Sequence, residues 1–542
     1  MSIAGGQVLR SVAWSSGGAL SMRLGQFLIG IVAARILLPH DFGVFAITLA
    51  VYAIVVNVSE LGVSSALIRQ NEDLDRLAPT AVTISLLSAT SLAAILWFVA
   101  PLVARAFGAA EATDPVRVMA FVVLLAGPSA VPSALLTRGF RQDLRFRADA
   151  LSFVVSNGLL LALALMGLGP LALAWSRVAG QLTSVITLII VAPKYRPGFR
   201  RKEAAHLLRF GLPLVGANLT GFAIGSVDSI VIGHAAGPVK LGFYTLANNI
   251  ASWPLGLSTS VLVNVGLPLM AKVKDDIAEL SRYLTNALRT LSGVFFYITA
   301  MCVGLAQQLV DSVYGEKWAA TGPVLAVLAA YGSVRVIMAL LSDVLVACGA
   351  TRSLFWIQVV WICVLIPSMV SGAHWAGILG VASAQVLVGV MLVVPLTMLV
   401  ANRVISVPMA PLLKALLWPL VAAAISGFVA HTVASFLSNP WISLLAGGIC
   451  GTLIYAALMA RWSRRLSGEI RGLYSGGNSA EVIEALSEAE VHLDTPPTLL
   501  DEAPIIAVPF APASPKDDGL AEVLPDSLFR PRSHHRHPGD HS

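Results

Sequence analysis

Seven polar side chains in this sequence stand out against their apolar surroundings. Arg23, Arg177, Arg335, Asp228, Glu60 and Asp343 are ionisable groups within or at the edges of long apolar runs, and Gln26 follows the first of them by one turn. A charge at the centre of a lipid-spanning helix costs about 2.5–3.5 kcal/mol on insertion scales, so such a group faces a polar cavity or a partner. Arg23 shares a helical face with Gln26 and Gly30 through i+3 and i+7 spacing, which suits a cavity lining or a structural ion pair. Arg335 sits near the middle of its run, with Ser342 and Asp343 about two turns further along. Arg177 follows Trp175 near the end of a run, where a long cationic stem snorkels to the headgroups as readily as it lines a cavity. Asp228 is suited to holding a proton or a cation, or to a hydrogen-bonded packing role. Glu60 stands three residues after Asn57 near a run's end, where interfacial and cavity roles compete. Asn248, Asn249 and Asn264 suit hydrogen bonding between helices.

Other chemistry is missing from the pattern. No Gly-Lys pair occurs, so the phosphate-cradling GxxxxGK[ST] loop is absent and the chain is not itself an ATP-driven pump. Cys302, Cys348, Cys363 and Cys450 show no CxxC or Cys/His ligand spacing and read as small buried hydrophobes. The terminal HHRHPGDH (534–541) is a weak metal-binding pattern that reads as a solvated polar end, and no cofactor is expected.

The elements that hold these side chains follow from composition. Of 542 residues, 56% are hydrophobic and 12% charged, with a mean hydropathy of +0.79, whereas soluble domains carry about 25% charged residues. A soluble globular enzyme is excluded. Fourteen runs of roughly 20 apolar residues lie between residues 11 and 460, each long enough to span about 30 Å of hydrocarbon. The expected fold is an all-α integral membrane protein with about fourteen transmembrane helices. The first run continues to LLPHDFG without a small-residue cleavage site, so it reads as a retained span.

Charge orients the spans. Residues 1–472 carry 32 Lys and Arg against 18 Asp and Glu, while residues 473–542 carry 4 against 12, so the basic excess belongs to loops and does not signal nucleic acid. With a cytoplasmic N-terminus, 24 of those 32 basic residues fall on the cytoplasmic side and 5 outside, as the positive-inside rule requires. Both termini are then cytoplasmic. The acidic, Pro-rich stretch 473–542 reads as a disordered tail.

Sliding the chain by 199 residues aligns Arg10 with Arg209, Gly17 with Gly216, Leu20 with Leu219, Ile31 with Ile230, Val32 with Val231, Pro39 with Pro238 and Gly43 with Gly242. Each copy begins after a basic loop, crosses, turns at a Pro/Gly-containing loop and crosses back. The expected organisation is a six-helix lobe over 1–210, a second over 211–401 as a parallel repeat, two further helices over 402–472, and the tail. Asp228 falls opposite Ile29 in this register and is particular to the second copy.

The stretches GQFLIGIVAARILLPHDFGVFAITLAV (25–51), SELGVSSALIRQ (59–70) and RGFRQDLRFRADA (138–150) resemble the polysaccharide transporter family of the multidrug/oligosaccharidyl-lipid/polysaccharide exporter superfamily. That resemblance implies a flippase for lipid-linked oligosaccharide units in the bacterial cytoplasmic membrane, with two lobes around a cavity open alternately to either side. It implies that Arg23, Gln26, Arg335 and Arg177 face a sugar-diphosphate headgroup, since guanidinium binds phosphate and uronate oxygens bidentately. Asp228, Glu60 and Asp343 would then couple transport to an ion or to the membrane potential. A polysaccharide polymerase and a chain-length regulator are the implied partners. The rival from the same superfamily is a drug antiporter, which needs acids in an apolar cavity rather than arginines.

Overall fold

The computed structural model describes residue 22 and residues 24–59, 61–69, 74–139, 141–261, 277–405 and 409–476. Arg23, Glu60, Asn264 and the tail beyond 476 lie outside the described residues. The backbone is helical nearly throughout, because in lipid a helix satisfies its own N–H and C=O groups, and no strand occurs among the described residues. The helices are α1 (Leu24–Ile36), α2 (Pro39–Ser59), α3 (Val63–Arg69), α4 (Leu74–Ala106), α5 (Thr113–Arg138), α6 (Gln142–Leu165) and α7 (Pro170–Val191). They continue as α8 (Arg201–Val261), α9 (Ile277–Gly304), α10 (Thr321–Ala347), α11 (Thr351–Val388), α12 (Val394–Ile405), α13 (Met409–Ser435) and α14 (Pro440–Gly476).

Ten helices among the described residues are long and apolar enough to cross a membrane. One of these ten is a 52-residue stretch, Arg352–Arg403, interrupted at Ala376 and at Gly377, whose φ is 58°. The 61-residue α8 is interrupted in the same way at Gly237, with φ 80°. Beside each break the sequence ends one apolar run and starts the next. The basic segment before residue 211 reads as a loop from its charge, yet it is helical from Arg201. Ala204 and Leu207, three apart, are buried against Val63, Leu67, Leu77 and Ala78, while Arg201 and Lys202 remain exposed. Charge density there conceals an amphipathic turn.

Residues paired in the 199-residue register meet through small side chains. α2 packs on α8, and at their ends Gly43 lies against the Pro238 carbonyl while Gly242 lies against the Pro39 carbonyl. These four residues are pairs in the 199-residue register, so the contact is reciprocal. Only glycine permits backbones to come this close. Around this crossing one continuous apolar core joins Ala34, Val44 and Ile47 to Ile232, Leu241, Tyr244 and Trp318.

A polar clasp closes the same end of the bundle. Arg35 donates from Nε to the Val313 carbonyl at 2.7 Å and from its terminal nitrogen to the Ser312 carbonyl. Lys317 returns the contact, donating to the carbonyls of Arg35 and Leu37, each at 2.8 Å. The Trp318 indole N–H donates to the Ala34 carbonyl at 2.9 Å. These acceptors are the last carbonyls of two helical segments, which lack partners within their own helices. Each segment therefore caps the other. Burial lowers Lys317 below the ordinary lysine range; the Asp41 carboxylate opposes that shift and Arg35 adds to it. Trp318 is fully buried, edge-on to Phe42 at 5.2 Å and Phe243 at 6.0 Å, one from each copy. His234, the register partner of Arg35, lies 3.1 Å through Nδ1 from the Ala106 carbonyl at the end of α4.

Candidate functional site

Five stretches of the second half converge on a cavity of about 40 Å³ lined by both polar and apolar groups. Gly225, Val227 and Asp228 come from α8 before its break and Asn248 from α8 after it. Tyr331 and Arg335 come from α10, and Trp361, Leu365, Met369 and Gln385 from the two arms of α11. The volume holds two or three waters, since one water needs about 10–15 Å³ of such space.

Asp228 is 8% exposed and fully engaged. Its Oδ2 accepts from the Tyr244 hydroxyl at 2.9 Å, and its Oδ1 accepts from the Ser229 backbone N–H at 2.7 Å. Gln385 lies within hydrogen-bonding reach of the Tyr244 hydroxyl, which links α8 to α11. Arg335 differs. It lies over the Tyr331 ring, 5.9 Å from the centroid, in a cation–π arrangement. It is near enough to act electrostatically on Asp228 and Tyr331. No described residue accepts a hydrogen bond from its guanidinium, and it closes no ion pair with Asp228. Trp361 adds a second unpaired donor: the side chain is 5% exposed, and its indole N–H has no partner among the described residues. Guanidinium and indole are donor-only groups. The cavity thus sets the Arg335 guanidinium beside a carboxylate already hydrogen-bonded at both oxygens, an arrangement suited to an anionic oxygen.

Of the seven side chains that stand out in the sequence the structure brings two together, Asp228 and Arg335, and Asn248 lines the same cavity. Asp343 is on α10 two turns beyond Arg335, half-buried, and does not line the cavity. Gln26 is exposed on α1. Arg177 is half-buried on α7, two residues from Trp175. Trp175 stacks on Phe121 at 6.1 Å, Phe121 meets Trp97 edge-on at 5.6 Å, and Arg117 lies over Trp97 at 5.6 Å. That band, with Trp97, Phe121 and Trp175 each 39% exposed, has the composition of a membrane-interface belt. Tyr244, Tyr331, Trp361 and Gln385 were not anticipated. Aromatics are unremarkable in apolar runs, and the one available signal was the amide Gln385, a strongly polar group in an uncharged stretch.

The profile described as "Polysaccharide biosynthesis protein" matches residues 32–323, more than half of the chain. The chain belongs to that family of polysaccharide transporters. It is 25% identical over 476 residues to the succinoglycan biosynthesis transport protein ExoT of Rhizobium meliloti (strain 1021), covering 85% of this chain and 94% of that one. Its fold is similar to the lipid II flippase MurJ in an inward closed conformation, with a TM-score of 0.66 at 16% identity, over 83% of this chain and 99% of MurJ. A multidrug resistance MATE family transporter in its inward-facing conformation is similar too, with a TM-score of 0.53 at 17% identity, over 74% of this chain and 95% of that one. The polysaccharide transporter resemblance read from residues 25–51, 59–70 and 138–150 is therefore borne out.

Proposed function

We propose that this protein carries polyprenyl-diphosphate-linked oligosaccharide units across the bacterial cytoplasmic membrane by alternating access. It is a transporter, with no catalytic step of its own. The observation that carries the reading is Arg335, a guanidinium without an acceptor in a cavity inside the helix bundle. An unpaired cation there is costly, and an anionic headgroup repays that cost while the polyprenyl chain stays in lipid. Likeness to a succinoglycan transport protein along most of the chain supports the same cargo class.

The reading takes α8 and the 352–403 stretch as two crossings each, giving fourteen in all. Lobes 1–210 and 211–401 flank the pathway, with 402–472 as two added helices and both termini cytoplasmic on the distribution of basic residues. The clasp of Arg35, Lys317 and Trp318 then lies at the external end and closes it. Arg23, Gln26 and Arg177 are assigned to the same anionic cargo from the first lobe, and Asp228, with Glu60 and Asp343, to ion coupling. A polymerase and a chain-length regulator are the expected partners. An antiporter of cationic drugs would use Asp228, but it would meet like charge at Arg335.

Depletion of the protein should make complete polyprenyl-diphosphate-linked units accumulate on the cytoplasmic leaflet. Arg335→Ala and Arg23→Ala variants, normally inserted, should fail to relieve it. An unchanged lipid-linked pool together with increased sensitivity to cationic drugs would overturn the reading in favour of the antiporter.

A further inference from the structure

Asp228 and Arg335 were singled out from sequence for different tasks, one for coupling and one for cargo, yet they line a single small cavity. We propose that Asp228 and the anionic headgroup compete for Arg335, so that protonation of Asp228 is the event that loads the headgroup. This rests on the transport reading given above and names how that site is regulated.

The geometry sets the competition. Asp228 is ionised or neutral among Tyr244 and Ser229, which donate to it, with Gln385 and Asn248 as neutral neighbours. The charged or titratable groups facing it are Tyr244 from α8 and Tyr331 and Arg335 from α10. Arg335 is the one cation among these described residues. While Asp228 is ionised, Arg335 balances its charge across the cavity without closing a direct bond, and the net field offered to an incoming anion is small. A proton added to a carboxylate oxygen of Asp228 removes that balance. In a low-dielectric site the guanidinium charge is then unopposed, and an anionic oxygen can take its N–H groups. Trp361 lines the same cavity, and its buried indole N–H, which has no partner among the described residues, would supply a second donor from the facing helix. Linkage makes the effect reciprocal: a bound headgroup raises the affinity of Asp228 for its proton by the same factor. Proton and anion therefore load together and leave together. The register partner of Asp228 is Ile29, so this exchange belongs to the second half only.

The test is binding of a polyprenyl diphosphoryl monosaccharide to the full-length protein in detergent micelles between pH 5 and 9. Both phosphates of that lipid stay ionised over this range, so any slope reports the protein. Wild-type affinity should rise as pH falls, approaching about tenfold per pH unit where one proton is taken up on binding. Asp228→Asn should bind as the wild type does at its acidic limit, with no slope. Arg335→Lys keeps the charge but loses the fork, so affinity should fall at least tenfold while the slope persists. Trp361→Phe retains the ring without the N–H and should weaken binding about three- to tenfold at every pH. A wild-type affinity independent of pH, or an Asp228→Asn variant that keeps the wild-type slope, overturns the exchange while leaving transport to be decided by the depletion assay. Absence of binding to wild type overturns the exchange too; only if depletion also leaves the lipid-linked pool unchanged does the transport reading fall with it.

Discussion

A methyl group added at Gly43 would be built onto the Pro238 carbonyl, 2.5 Å from its carbon and 3.0 Å from the Pro238 Cα. The register partner behaves alike: a methyl at Gly242 meets the Pro39 carbonyl, 2.8 Å from its carbon. Non-bonded carbons rest at about 3.5–4.0 Å, so either substitution drives α2 and the second arm of α8 apart by about 1 Å. The obstacle is backbone, which cannot swing aside as a side-chain end can. Overpacking of this kind costs about 1–3 kcal/mol. At about 2 °C per kcal/mol for a long chain, Gly43→Ala and Gly242→Ala should each lower the apparent melting midpoint in detergent by roughly 2–6 °C. Gly30→Ala is the control, since its added methyl meets nothing within 4 Å; better helix propensity should leave its midpoint level or slightly higher. The double variant should lose less than the sum of the singles, because one separation of the helices relieves both overlaps. A Gly43→Ala midpoint equal to that of Gly30→Ala, or strict additivity in the double variant, would refute the reciprocal crossing.

Arg35→Gln removes two charged donors from the clasp. Charged hydrogen bonds contribute about 1.5–3 kcal/mol each when buried, less where solvent reaches them; a net loss of about 1–2 kcal/mol should raise the open fraction of that end roughly five- to thirtyfold. Labelling of Asn248→Cys by a membrane-impermeant maleimide from outside, with the four native cysteines replaced, should quicken accordingly; an unchanged rate rules out the clasp as a gate. Trp318→Phe keeps contact with Phe42 and Phe243 but drops the indole bond to Ala34, so it should cost about 1 kcal/mol and quicken labelling less than Arg35→Gln does. Reporter fusions after residue 200 and after residue 405 should both report cytoplasm; opposite signals would show that one of the broken helices crosses the membrane once rather than twice.

Membrane architecture was legible because lipid leaves one solution for a long apolar run, a helix, and because Pro39, Gly43, Pro238 and Gly242 recur at a fixed spacing. Their reciprocal contact could be suspected from that register but not their depth of approach, which depends on helix crossing. The helical start of α8 at Arg201 escaped notice, since its charges masked the inward pair Ala204 and Leu207. The site was legible only in its charged members. A lone charge in an apolar run is conspicuous, so Asp228 and Arg335 stood out, but no spacing rule relates residues on α8 and α10, and their shared cavity is a tertiary fact. Tyr244, Tyr331 and Trp361 were hidden for the opposite reason: their apolar bodies fit any span, and their polar tips matter only once a partner, or the lack of one, is located.

The register also shows where the two halves have parted. At the end held by the clasp, Arg35 and His234 occupy equivalent register positions and each reaches a helix-terminal carbonyl of the opposite half, so the kind of contact is kept although the residue differs. In the middle of the bundle symmetry is abandoned. Ile29 stands where the second half has Asp228, and the cavity that Asp228 shares with Arg335 is built wholly from second-half elements. On the transport reading proposed above, a reciprocal crossing would let the two proposed lobes rock against each other as like bodies, while a one-sided charge site would give that rocking a chemical bias. On this division of labour, substitutions at Gly43 or Gly242 should alter how readily the lobes move without changing the pH slope of headgroup binding, whereas substitutions at Asp228 should do the reverse.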